Sequence, residues 1–206
     1  MSLLQPLPQD DEDGPPSYRQ KPKPIGFEIA YRLEGGELVI DSTRKIDRVR
    51  LSAVEQVRFT FKPGNIAATG YQTQLRLTDG KTITIGDTSW RSLVEVERGG
   101  ARYVRFIAAL CAAIASANPK ARFLAGKPPL VWLAYAVVVG LSLLAMLFFI
   151  WRSLGADAGG AIWVGLFIFA AASWQMIPLV WLNRPAPLGV GEVPAHLMPK
   201  VEPRPS

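Results

Sequence analysis

Apolar positions along the chain follow three different rhythms, and each predicts a different kind of element. The first rhythm has period two. Phe27, Ile29, Tyr31 and Leu33 alternate with polar or small residues, Gly35-Gly36 turns the chain, and Leu38 and Ile40 resume the alternation. Val49 and Leu51 follow, then Val57, Phe59 and Phe61. After a loop over residues 62–70 the pattern returns at Tyr71, Thr73, Leu75 and Leu77. Asp79-Gly80 is a type I′ hairpin signal, and Ile83 and Ile85 close the next strand. The segment therefore predicts about six short antiparallel strands, each with one apolar face.

The second rhythm has period 3.6. Tyr103, Phe106, Ile107, Leu110, Cys111 and Ile114 form an apolar stripe on a helix from about residue 98 to residue 117. Asn118-Pro119 ends it, because a residue before proline leaves the α region. Over residues 107–117 the opposite face is Ala and Ser rather than charge. That suits a helix covered on both sides, or one that simply uses Ala as a good helix former.

The third pattern has no polar beat at all. Residues 129–151 and 161–182 are 23 and 22 residues without a charge. A hydrocarbon core of about 30 Å takes roughly 20 helical residues, so both are long enough to span. Trp132, Tyr135 and Trp151 flank the first and Trp163 and Trp181 the second, as an aromatic belt does. The rest of the chain is too short to bury both inside a soluble core. The link over residues 152–160 is short enough to force an antiparallel hairpin. Lys120, Arg122 and Lys127 precede the first span and Arg184 follows the second, against Arg152 alone in the link. The positive-inside rule then places both termini in the cytoplasm. The N-terminal residues lack a basic n-region and an adequate apolar h-region, so no cleaved signal is expected.

Both ends are expected to be disordered. Residues 1–24 hold six prolines and the run Asp10-Asp11-Glu12-Asp13, and residues 183–206 hold six more prolines. Neither shows a period that would bury enough apolar surface to offset ordering.

Composition narrows the chemistry further. The chain has 206 residues, 23 Lys+Arg against 17 Asp+Glu, one His and one Cys. A structural zinc site and an internal disulfide are thereby excluded. Mean hydropathy is +0.17, high for a soluble domain. No GxxxxGK[ST], GxGxxG, GxSxG or HExxH pattern occurs. The single His196 lies in the C-terminal tail, and Glu55, Asp79 and Asp87 are scattered. No catalytic residue, cofactor or metal is expected.

Basic residues are the remaining candidates. Arg48, Arg50, Arg58 and Arg76 alternate with core positions and should point outward. Arg98, Arg102 and Arg105 share one helix face near Gly99-Gly100, which reads either as a hinge or as an anion-binding helix start. With Lys120, Arg122 and Lys127 they form a candidate contact with an anionic leaflet, where each gains on the order of 1 kcal/mol. The alternative is a solvated face balanced by Asp47, Glu55 and Glu97. A net charge of +6 over the whole chain is too small to suggest nucleic acid. Within the spans, Gly140 and the small residues around Ala171 and Ala172 fall at the same depth, where they favour close helix packing. Gln175, the only amide in either span, joins them as a packing candidate, and Pro178 should kink the second span.

The stretches GGELVIDSTR, SAVEQVRFTFKPG, DGKTITIGDTSW and RYVRFIAALCAAIASANP, followed by NPKARFLAG and a hairpin, resemble uncharacterised bacterial membrane proteins, alphaproteobacterial in type, with a pleckstrin-homology-like domain. The expected architecture is α+β. A small antiparallel pleckstrin-homology-like barrel or sheet with a C-terminal helix occupies residues 25–118, followed by a basic juxtamembrane linker (119–128) and the two-helix transmembrane hairpin. The resemblance implies a non-enzymatic module in the inner membrane that binds a partner protein or the anionic membrane surface. The alternative is an accessory subunit of a larger membrane complex, held through its spans.

Overall fold

The computed structural model describes residues 16–62, 70–92, 95–154 and 159–199. It is α+β, with antiparallel sheets and three long apolar helices. The strands before the first helix are β1 (Ser17–Gln20), β2 (Ile29–Glu34), β3 (Glu37–Ser42), β4 (Lys45–Arg50), β5 (Val54–Lys62), β6 (Gly70–Leu77), β7 (Thr82–Gly86), β8 (Thr88–Trp90) and β9 (Val96–Arg98). Then come α1 (Gly100–Ala117), β10 (Arg122–Ala125), α2 (Pro129–Leu154), α3 (Gly159–Leu182) and β11 (Ala186–Leu188). One sheet has the order β1-β2-β3-β4, a second β11-β10-β5-β6-β7, and β8 and β9 form a small hairpin.

Most of the period-two positions become the inner faces of both sheets; Phe27, expected to open the first strand, instead lies before β2 and is exposed. Tyr31, Leu38, Val57, Phe59, Leu75 and Ile85 are each at most 2% exposed. The stripe on α1 closes the core: Tyr103, Phe106, Ile107, Leu110, Cys111 and Ile114 are likewise at most 2% exposed. At Gly35 and Gly36 the φ angles are +56° and +82°, the left-handed pair that a tight hairpin turn demands. Asp79-Gly80 also turns the chain, with Asp79 Oδ1 accepting the Lys81 N–H at 2.9 Å.

Several expectations need correction. The first tail is not free over its second half: β1 pairs with β2 in register Tyr18↔Tyr31. Tyr18 stacks on Phe106 at 5.8 Å between ring centroids and meets Tyr103 edge-on at 5.7 Å. One aromatic in a four-residue strand leaves too short a period to register in sequence. The second tail is ordered as well. β11 pairs with β10, and Leu197 and Met198 enter the core at 1% and 6% exposure. On the way, the segment crosses α1, where a side chain at Gly191 would press on the Ala115 methyl at 3.2 Å. Part of the small face of α1 is thus covered by the chain's own C-terminal segment. Residues 1–15 and 200–206 lie outside the described residues, so the expectation stands untested there.

The linker is also different. Residues 122–125 form β10, parallel to β5 in register Phe123↔Val57 and Ala125↔Phe59. Phe123 and Ala125 are buried, so part of the expected basic juxtamembrane linker belongs to the sheet and its core. The spans run slightly longer than their uncharged stretches, α2 to Leu154 and α3 from Gly159. Three helices, not two, are long and apolar enough to cross a membrane, because the Ala-rich α1 also meets that measure. They differ in what covers them: α1 buries a stripe against the sheets, while α2 and α3 expose Leu133, Leu141, Phe148, Trp163, Phe167 and Trp174.

Candidate functional site at the junction of sheet and hairpin

The two strands that bracket the helical hairpin, β10 and β11, are hydrogen-bonded neighbours. The whole α2–α3 hairpin is therefore a loop inserted into one corner of the five-stranded sheet. Asn183, the first residue after α3, fixes that corner and is 1% exposed. Its Oδ1 accepts the Phe61 N–H at 3.0 Å, and its Nδ2 donates to Phe61 O and Leu179 O, each at 2.9 Å. One side chain thus extends the edge of β5 and caps the end of α3, satisfying backbone groups that a buried helix end would otherwise leave unpaired.

The opposite root is equally tight. Gly126 has φ +73°, and a side chain there would collide with the carbonyls of Asn183 and Arg184. Its N–H donates to Phe59 O at 2.8 Å, and its carbonyl accepts from Arg58 Nη1 at 2.9 Å. Lys127 N–H donates to Asn183 O at 3.0 Å, and Trp132 Nε1 donates to Val180 O at 2.8 Å across the first turns of the hairpin. Arg58 is only half-exposed, and burial together with Arg122 holds its pKa below the usual arginine range. Of the four arginines expected to point outward, Arg48, Arg50 and Arg76 do, and Arg58 instead braces the junction.

β5 and β10 both run toward the hairpin, which gives the domain a hairpin end and a far end. Phe61 pairs with Tyr71 across β5 and β6, and Tyr71 and Asp87 exchange backbone and side-chain hydrogen bonds at 3.0 and 2.8 Å. The Gly99 N–H in turn donates to Asp87 O, so the start of α1 lies at the hairpin end. Gly99 is required there because a side chain would meet Tyr18 Oη at 2.6 Å, and Gly100 because its φ is +49°. The glycine pair serves the entry into α1.

This framework separates the basic candidates. Arg98 is exposed at the hairpin end, in register with Thr88. Arg102 is exposed but paired with Glu97 at 3.0 Å, and the same carboxylate accepts Arg91 Nε at 2.9 Å. Arg105 is exposed further along α1. Lys127 sits at the junction with Nζ 5.0 Å from the Tyr135 ring centroid. Lys120 and Arg122 lie toward the far end, since Arg122 is in register with Gln56 and Asn118 Nδ2 donates to Val54 O at 2.9 Å. Lys62 and Arg184 are also exposed at the hairpin end; Lys62 was not singled out from sequence, and Arg184 only as a basic flank of the second span. Their placement depends on the β5–β6 register and on β11, which no local pattern announces.

The packing candidates separate too. A side chain at Gly140 would meet nothing within 4 Å, so Gly140 is not where the helices touch. The close approach is at Gly165, where a side chain would meet Ile150 Cγ1 at 3.0 Å. Ala172 is half-buried on the facing side, whereas Ala171 and Gln175 are exposed. Around that approach lies an apolar cavity of about 640 Å³ lined by Ala145, Met146, Phe149, Ile150, Val164, Gly165 and Ile168.

Among the described carboxylates the one most raised is Asp87, 1% exposed. Burial pushes its carboxyl up to about 6, opposed by the Tyr71 N–H and by Arg98. Around it Tyr18 Oη donates to Gly86 O at 2.8 Å, Gln20 Oε1 accepts the Gly86 N–H at 2.7 Å, and Thr73 and Tyr103 hydroxyls meet at 2.8 Å. These polar groups satisfy one another and stitch β1, β6, β7 and α1 together. Among the described residues no group of three or more His, Cys, Asp or Glu converges to hold a metal. The chain matches no family of known proteins, no curated protein and no solved structure.

Proposed function

We propose that the chain is a non-enzymatic, membrane-anchored module of pleckstrin-homology-like type that binds a partner protein or the anionic membrane surface. Four antiparallel strands, then three more, then the small β8–β9 hairpin and one helix across the core is the order that supports the domain reading. In this reading α2 and α3 span the bacterial inner membrane and α1 stays in the domain, because its apolar stripe is already occupied by sheet residues. Basic residues at the hairpin end support a cytoplasmic domain with both termini on that side.

The observation that carries the proposal is the Asn183–Phe61 clamp. A free tether would let the domain sample any orientation. A sheet that continues into both helices instead presents one fixed end, with Lys62, Arg98, Lys127 and Arg184, to the bilayer. Purification of the full chain in mild detergent, with and without added anionic lipid, tests the proposal. A stoichiometric protein partner or tight retention of anionic lipid supports it, and turnover of a small-molecule substrate overturns it.

A second reading, the accessory subunit, draws on Gln175, an amide exposed on the outside of the hairpin beside Trp174 at 85% exposure. Lipid offers that amide no partner, whereas a neighbouring helix would. Loss of a co-purifying protein in Gln175→Leu, with retention when the basic residues are changed, would favour this second reading.

A further inference from the structure

The connection between β1 and β2, residues 21–28 (KPKPIGFE), is the most exposed apolar feature outside the hairpin. Ile25 is 81% exposed and Phe27 49%. Hydrogen bonds place this loop at the hairpin end of the domain. The Gln20 side chain bonds Gly86, which adjoins Asp87, and Lys21 N–H donates to Ser89 Oγ at 2.9 Å while Lys21 O accepts the Trp90 N–H at 3.0 Å. The other ends of the same strands lie at the far end: Leu51 N–H donates to Gly36 O and Thr78 N–H to Ala53 O, each at 3.0 Å. The β3–β4 turn lies beside the loop, with the Arg44 guanidinium 4.7 Å from the Phe27 ring centroid. Lys21 and Lys23 belong to the same loop as the two apolar side chains, Arg44 to the neighbouring β3–β4 turn and Lys45 to the start of β4. Glu28 and Asp47 are the nearby acids, and Asp47 is paired with Lys45 at 2.5 Å.

We propose that this loop docks on an anionic bilayer surface, Ile25 and Phe27 entering the interfacial layer while Lys21, Lys23 and Arg44 meet lipid phosphates. The inference rests on the reading that α2 and α3 span a bilayer. Given that, the loop sits at the end of the domain that the hairpin holds against lipid. An apolar tip flanked by cations is the chemistry an anionic interface accepts, since headgroup-level burial and electrostatic attraction act together. Arg98 and Lys127 then extend the same contact, and Arg102, neutralised by Glu97, contributes little. Loop docking would fix the domain at a second point and set its tilt.

The test uses the full chain, in a Cys111→Ala background, in nanodiscs containing phosphatidylglycerol. An environment-sensitive fluorophore is attached at Ile25→Cys, at Leu144→Cys within α2, or at Asp79→Cys at the far end. Brominated lipid should quench the label at 144 and, severalfold more than at 79, the label at 25. Quenching at 25 should weaken in zwitterionic discs and in the Lys21→Gln/Lys23→Gln/Arg44→Gln variant. A label at 25 quenched no more than the one at 79, while 144 is quenched, overturns the docking and leaves the hairpin reading intact. Absence of quenching at 144 overturns the hairpin reading itself. Shielding of 25 from aqueous iodide without quenching by lipid identifies a protein contact and also overturns the docking, and indifference to lipid charge and to the triple variant removes its anionic basis.

Discussion

Asn183 and Phe61 stand 122 positions apart, yet the Asn183 amide pairs with both backbone groups of Phe61 as a neighbouring strand would. The contact makes the hairpin part of the sheet. Because β10 and β11 are paired, and β10 also pairs with β5, the five-stranded sheet is complete only when the chain on both sides of the hairpin has come together. Core residues on the far side of the hairpin, Leu197 and Met198, depend on the same closure.

Removing the clamp should therefore cost more than a surface amide. Asn183→Ala leaves the half-buried Phe61 N–H and carbonyl without their partners. A buried group left unsatisfied costs about 1–3 kcal/mol. Asn183→Asp keeps an acceptor but loses both donated bonds and should also destabilise. Chemical unfolding of the full chain in micelles gives the size of the loss, and hydrogen exchange at the Phe61 amide shows whether it is local. A change within about 0.5 kcal/mol, the usual range for surface substitutions, would mean the clamp is dispensable.

Asp87 predicts a pH dependence of stability. In an unfolded chain its carboxyl titrates near 3.9. In the folded domain burial raises it to about 6. Between those values the folded state binds more protons than the unfolded one, so stability falls as pH rises from about 4 to about 6. Two units correspond to roughly 3 kcal/mol. Asp87→Asn retains the acceptor for the Tyr71 N–H and should flatten that part of the stability profile. A wild-type profile whose slope in this window is unchanged in the Asn variant would remove Asp87 as its source.

How much of this was legible in the sequence varied with the length of each pattern. The hairpin and the stripe on α1 were plain, because long runs of apolar residues leave few alternatives. Strands β2 to β7 followed from alternation and two glycine turns. β1, β8, β9, β10 and β11 were missed because a strand of three or four residues has no measurable period, and β10 and β11 take their place from partners more than 60 residues away. For β11 the prolines were misleading as well. Pro187 is tolerated because β11 is the edge of its sheet, where one side needs no donor. The junction was illegible for the same reason: Asn183 reads as a turn residue until β5 is placed beside it.

Core packing gives two linked expectations. Leu110 is fully buried, and Leu110→Ala should cost about 2–5 kcal/mol. Leu197→Ala should cost a comparable amount even though it lies in the proline-rich C-terminal segment. Both are measured on the full chain, because residues 25–118 alone lack Tyr18, Phe123 and Leu197 from the core. If Leu197→Ala is neutral while Leu110→Ala is costly, the C-terminal segment does not hold the core in solution.

The last expectation concerns the sides of the membrane. β10 enters α2 and α3 returns into β11, and paired strands must lie on one side, so the domain and the chain beyond Leu188 share a compartment. Lys62, Lys127 and Arg184 cluster at that root, against Arg152 at the opposite end of α2. Positive residues next to spans favour the cytoplasm. A reporter that is active only in the cytoplasm should therefore report when fused after Ser206. A reporter inserted near Gly159 should be active only if it needs the opposite compartment. Reversing the charge bias by placing lysines around Gly159 and replacing Lys127 and Arg184 should weaken this preference while the β10–β11 pairing still keeps both roots together. Opposite compartments for the two roots would contradict the paired strands themselves, and with them the inserted hairpin.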